Sequence, residues 1–202
     1  MSFWTHFIGT MQFCSSSYEE VEAILGKPTL WPEFDYHLPK DEFMSQVEDF
    51  SNNIWMPAIE AWDNGTGMPM GSEGSINWKY SDTSKENKNV FGEGTLIAIE
   101  GDLRDFGADI EDIRKSMLWF RSKCFALGAR EAVLRIQADG WYNFIIYGCR
   151  DNLIVHAFKR DELVLSYSWK YQRREEQWHT KLLFNNLTDT SDLKHLIPEV
   201  VL

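Results

Sequence analysis

A chain of 202 residues, 44% of them hydrophobic, is long enough to bury a full core without disulfide or metal staples. Its formal charge of −11 works against nucleic acid and anionic membranes as direct partners. Nine Trp, seven Tyr and thirteen Phe exclude a disordered composition.

No stretch approaches the roughly 18 apolar residues of a membrane span. The opening Met-Ser-Phe-Trp-Thr-His lacks the basic and apolar regions of a secretory leader. Cys14, Cys124 and Cys149 form an odd, scattered set without a C-x-x-C pair, so reduced thiols in a cytosol are expected.

The first segment, residues 3–13, alternates. Phe3, Phe7, Met11 and Phe13 share one face while Trp4, His6, Thr10 and Gln12 share the other, which predicts a strand covered on one side. Ser15–Ser17 supply a cap for a short helix over Tyr18–Leu25, ended by Gly26-Lys27-Pro28. After a Pro-punctuated loop, Phe43, Val47, Phe50, Ile54 and Ile59 recur at helical spacing from Asp41 to Trp62, with Pro57 expected to kink or divide the helix. A Gly-rich stretch, residues 64–75, leads to an alternating strand at Ile76, Trp78 and Tyr80. Residues 81–93 read as a polar hairpin loop. The apolar run inside Thr95–Glu100 suits a central strand covered on both faces.

The clearest helix follows. Asp109 is a good N-cap, Glu111 and Asp112 sit in the first turn, and Ile110, Ile113, Met117, Phe120, Cys124 and Leu127 form one apolar stripe before a Gly128 stop. A strand at 131–137 then turns through Ala138-Asp139-Gly140 into a meander of strands at 141–148, 153–158 and 163–171. A short helix is expected near Ser191–Leu196. The order β-α-β-β-α-β over the first 137 residues predicts an α+β fold: a ferredoxin-like βαββαβ unit with a C-terminal antiparallel β-meander extension. The expected organisation is 1–137 with an acidic helical insertion at about 18–63, and 138–202 as the extension, in one compact domain. The meander would widen the sheet or fold back over its open side, and Trp4, Trp78, Trp141 and Trp169 suit a large, partly open sheet surface.

Charge is unevenly spread. Residues 19–63 carry eleven acids against Lys27 and Lys40, interleaved with aromatics. Acids beside exposed rings suit an interface with a basic protein, although a charge run is also an ordinary solvated face. Trp31, Asp41, Glu42, Glu48, Asp49, Trp55 and Trp62 are the candidate partner-binding residues.

A second candidate is Gly71-Ser72-Glu73-Gly74-Ser75, where Gly71, Ser72, Gly74 and Ser75 offer amides for an anion and Arg104 could meet a phosphate. The simpler reading is a tight turn feeding a strand, and the segment lacks a P-loop lysine. The segment Gly101–Gly107, between the central strand and the helix, holds Asp102 and Asp105, which could bind a divalent cation or brace Arg104. No metal ligand set of recognised spacing exists among His6, His37, His156, His179 and His195, and His6 and His156 could meet across a sheet. The basic–aromatic stretch Trp169–Trp178 is neutralised by Glu175 and Glu176 and reads as a hairpin end. No nucleophile elbow or other catalytic constellation is present, so the chain leans away from an enzyme; no catalytic residue and no cofactor is expected.

Trp4-Thr5-His6 with Gly9, then Gly71–Ser75, then Gly101-Asp102-Leu103-Arg104-Asp105 resemble a group of small phage and prophage proteins sharing W-T-H-x-x-G, G-S-E-G-S and G-D-L-R-D. The resemblance covers about residues 3–137. It implies a phage origin and the cytoplasm of an infected bacterium, and it carries no residue roles. The leading expectation is therefore a non-enzymatic protein that inhibits a bacterial host factor with a basic surface, such as a defence system, in the manner of an anti-CRISPR. The alternatives are a nucleotide-binding module using Gly71–Ser75 and Arg104, and an immunity protein against a basic toxin.

Overall fold

The computed structural model describes residues 3–14, 16–27, 34–82, 94–107, 109–138, 142–187 and 197. The expectations for Trp31, residues 83–93, the Asp139-Gly140 turn, Trp141 and the 191–196 helix lie outside them.

Eight antiparallel strands form one sheet: β1 (Trp4–Phe13), β2 (Glu73–Asp82), β3 (Thr95–Arg104), β4 (Glu131–Ala138), β5 (Asn143–Cys149), β6 (Asn152–Lys159), β7 (Glu162–Gln172) and β8 (Gln177–Asn185). Their order is β2-β3-β1-β4-β5-β6-β7-β8, so β1 is paired on both sides by strands that follow it in sequence. The β4–β5 ladder is continuous across the expected domain boundary at 137. The chain is thus mixed α+β, with one large sheet that is mostly a meander.

Alternation in β1 works as expected. Phe7, Met11 and Phe13 are buried beneath the helices, while Trp4, His6 and Ile8 lie on the bare face. Helix α1 (Tyr18–Leu25) begins at a capping box: the Glu20 N–H donates to Ser17 Oγ and the Ser17 N–H donates to Glu20 Oε2. It docks over β2, where Trp78 Nε1 donates to the Gly26 carbonyl at 2.9 Å and the Tyr80 hydroxyl to Ser16 O at 2.7 Å.

The long helical stretch is irregular. Helix α2 (Lys40–Phe50) runs into a π-helical turn over Ser51–Trp55, then α3 (Met56–Asp63). The expected break at Pro57 takes this form because proline lacks an N–H and its ring crowds the carbonyl four residues earlier. The wide turn, with the Met56 N–H reaching back to Ser51 O, precedes it without ending the helix. Helix α3 buries Trp62 in the main core, 6.1 Å from the Phe106 ring.

Helix α4 (Ile110–Ala126) has Asp109 as its N-cap, whose carboxylate accepts from the Glu111 N–H at 2.9 Å. Ile113, Met117, Phe120 and Cys124 are buried in one stripe, and Gly128 ends the helix at φ +64°. The helix covers β4 to β7. The Tyr167 hydroxyl reaches Met117 Sδ, and the Arg121 guanidinium lies between the Trp169 and Trp178 rings, at 4.9 and 4.8 Å from their centroids.

Three expectations are corrected. The Thr95–Glu100 run is covered on one face only: Ile97 and Ile99 are buried, yet Leu96 is 36% exposed. The reason is that the meander widens the sheet sideways and the described helices lie on one face. Gly101–Arg104 is not a loop but the second half of β3, and only Asp105–Gly107 connects toward α4. Strand β8 was not anticipated, because Leu182, Leu183 and Phe184 are exposed in succession and a register shift at Ser166/Tyr167 erases its alternation. Among the named sheet tryptophans that are described, Trp4 alone lies on the bare face, while Trp78 and Trp169 are buried. No described helix is long and apolar enough to cross a membrane.

Candidate functional site

The acidic segment lies on the surface. Asp41, Glu42, Glu48 and Asp49 are all exposed on α2. Asp41, Met44 and Glu48, spaced three and four apart, share one helix face, and Met44 is 44% exposed. Tyr36, Ile54 and Met56 add exposed apolar area at 78%, 48% and 47%.

Residues 34–63 hold seven acids and one lysine, Lys40. Asp41, Glu42 and Glu48 form no ion pair with any described residue; Asp49 accepts a hydrogen bond from the Asn53 amide at 2.7 Å. Some carboxylates elsewhere are matched: Glu73 with Arg104, Glu100 with Lys79, Glu111 with Arg114, and Asp151 with Arg173. The Arg114 guanidinium holds the Glu111 carboxyl below its ordinary range.

What holds α2 is a satellite cluster that meets the main core through Trp55. Phe34 packs edge-on against Phe43 and Phe50, Tyr36 against Phe43, and Phe50 against Trp55, all with centroids between 5.5 and 6.2 Å. Trp55 is half-buried and Trp62 is buried at 7%, so Trp62 belongs to the packing of α3 rather than to the acidic surface.

The three sequence motifs meet at one end of the sheet. In register, Trp4 faces Arg104, which faces Glu73; two residues along, His6 faces Asp102, which faces Ser75. The His6 Nδ1 is paired with Asp102 Oδ1, and the Arg104 guanidinium with the Glu73 carboxylate. Asp105, at φ +52°, accepts from the Ser72 hydroxyl at 2.9 Å and lies 3.7 Å from Arg104 Nε. The Thr5 hydroxyl, fully buried, donates to the Phe106 carbonyl.

Glycine is required at two of these positions. Gly74 has φ +84°, and Gly101 lies so close to β2 that a Cβ would stand 2.6 Å from the Ile76 Cα. The turn at Gly71–Ser75 is thus built into the sheet. The Ser72 N–H donates to the Arg104 carbonyl at 2.9 Å, and Gly74 and Ser75 pair with Leu103 and Asp102. Arg104 already holds two carboxylates.

Above this end of the bare face runs a groove of about 650 Å³, lined by Trp4, His6, Ile8, Asn77, Glu100 and Asp102 among others. His6–Asp102 resembles the orienting half of a catalytic triad. The order across the strands is Ser75–Asp102–His6, however, with the carboxylate in the middle, so no hydroxyl stands on the imidazole. His156 lies three strands away in a different row, opposite Ile145, and pairs with the Tyr147 hydroxyl at 3.0 Å; the two histidines do not meet. No group of three metal-capable side chains occurs among the described residues. The Cys124 thiol is pushed well up by burial, as befits a core residue.

The convergence of the motifs is the feature that sequence reading missed. The alternation of Trp4 and His6 was legible, but the extension of β3 through Arg104 and the strand order that aligns the motifs were not. No family model, no curated protein and no solved structure matches the chain.

Proposed function

We propose that this chain is a non-enzymatic binding protein whose α2 surface docks a basic protein, and that it acts as an inhibitor of a bacterial host factor. The observation that carries the reading is the density of unbalanced charge: α2 carries four exposed acids around exposed Met44, none with a cationic partner among the described residues. Unmatched acids beside soft apolar side chains favour association steered by charge and completed by burial. The phage setting implied by the sequence motifs supplies the kind of target, a host protein with a basic cleft. We also read β1–β4 as a ferredoxin-like unit, supported by the antiparallel order β2-β3-β1-β4 with helices following β1 and β3.

The test compares the chain with a variant carrying Asp41→Asn, Glu42→Gln, Glu48→Gln and Asp49→Asn. Both would be used to retrieve a stoichiometric companion from bacterial lysate, with affinities measured at two salt concentrations. Four rim charges at about 0.2–1 kcal/mol each imply a loss of roughly fourfold or more at low salt. Equal affinity of both proteins, with no salt dependence, would remove the basis of the proposal.

A further inference from the structure

We infer that the groove at the motif end of the bare sheet face is a receptor for a guanidinium group. This site is separate from the α2 surface and does not depend on it. Its walls are chemically distinct: Trp4, His6 and Ile8 come from β1, Glu100 and Asp102 from β3, and Ser75 and Asn77 from β2.

The unfilled capacity of this groove is acceptor capacity. Each base at the site is already engaged: His6 by Asp102, Lys79 by Glu100 at 2.5 Å, and Arg104 by Glu73. A carboxylate accepts about four hydrogen bonds. Asp102 uses Oδ1 for His6, and Glu100 uses Oε1 for Lys79, which leaves one oxygen of each carboxylate over. Both are more than half exposed. No base lining the groove is uncommitted; Arg135, opposite Ile8 on β4, stands one strand beyond it.

Shape selects guanidinium over ammonium. Glu100 and Asp102 occupy successive open-face positions of β3, so their Cα atoms are about 7 Å apart. A planar fork can span two such acceptors, whereas an ammonium is a point donor. Trp4, 37% exposed, provides a ring face at the same end. Gly74 makes room for that ring: a Cβ there would stand 3.3 Å from Trp4 Cζ3. The Lys79 side chain, 72% exposed, can leave Glu100 to an incoming cation without disturbing the fold.

The probes are N-acetyl-L-arginine amide, its neutral isostere N-acetyl-L-citrulline amide, and free L-arginine. Each would be titrated into the ¹⁵N-labelled full chain and followed by NMR at the Trp4 indole and at the amides of Glu100 and Asp102. A saturable shift with blocked arginine, absent with citrulline, supports the site with a polypeptide arginine as its source. A saturable shift with free arginine alone supports the site with a small metabolite as its source. Asp102→Asn and Glu100→Gln should each weaken binding by up to about fivefold, the size of an exposed ion pair. Trp4→Ala should do so by about two- to fivefold. Unchanged spectra away from the groove show that a variant folds. No saturable shift with either arginine probe, or equal shifts with citrulline, overturns the inference.

Discussion

Replacing Arg121 tests how β8 is held. The Arg121 guanidinium is stacked between Trp169, buried on β7, and Trp178 on β8. Beside it Phe125 packs against Tyr171 at 4.5 Å and Trp178 at 5.9 Å, so one helix face clamps the last two strands. A half-buried cation on a ring contributes about 0.5–1 kcal/mol, so two rings give about 1–2 kcal/mol. At roughly 2–4 °C per kcal/mol for a chain of this size, Arg121→Met should lower Tm by about 2–8 °C. Methionine keeps an unbranched apolar stem, so the loss measures the charged plane and not merely packing. Arg121→Lys, with the charge but without the plane, should fall between. Urea unfolding gives the stability change, and hydrogen exchange should place the lost protection in β8, with β1 and β4 unchanged. Arg121→Met within about 0.3 kcal/mol of the parent would refute the stacking argument.

Other perturbations address other elements. Asp109→Ala removes the α4 cap and should cost about 1 kcal/mol in chemical denaturation. Met117→Ala opens a cavity beneath Tyr167 and should cost about 2–5 kcal/mol, enough to consume much of a typical total stability. Phe50→Ala empties the satellite cluster; exchange should rise across α2 while the sheet retains its protection, and companion binding should fall with it. Burial raises the Asp112 carboxyl above its ordinary value, so ionising it opposes folding at neutral pH. Asp112→Asn should therefore stabilise the chain near pH 7, and the gain should vanish as pH falls below the ordinary aspartate range.

Local signals were legible where one residue decides one geometry. Asp109, the six-residue stripe of α4 and Gly128 specify start, face and stop without tertiary information. Pro57 announced a break, but its form as a π-helical turn over Ser51–Trp55 depends on how α3 docks Trp62. Non-local geometry was not legible. Leu96 and Ile97 look alike in sequence, and they are separated only because the described helices all lie on one sheet face. Trp55 and Trp62 are likewise indistinguishable until α3 settles against Phe106. The candidate groove was hidden for the same reason: His6 and Asp102 are 96 residues apart, and their contact follows from strand order.

The central place of β1 has a consequence for how the chain matures on the ribosome. The first strand made is paired by residues 95–104 on one side and 131–138 on the other. More than half of the polypeptide must emerge before Phe7, Met11 and Phe13 can be covered from both flanks, and until then an apolar, edge-competent segment is left waiting. Strands β5 to β8, by contrast, each pair with the strand just completed, so they can zip on in the order of synthesis. Maturation therefore divides into one slow closure around the oldest segment and a rapid sequential addition. Nascent-chain truncations ending before residue 138 should be retained by chaperones.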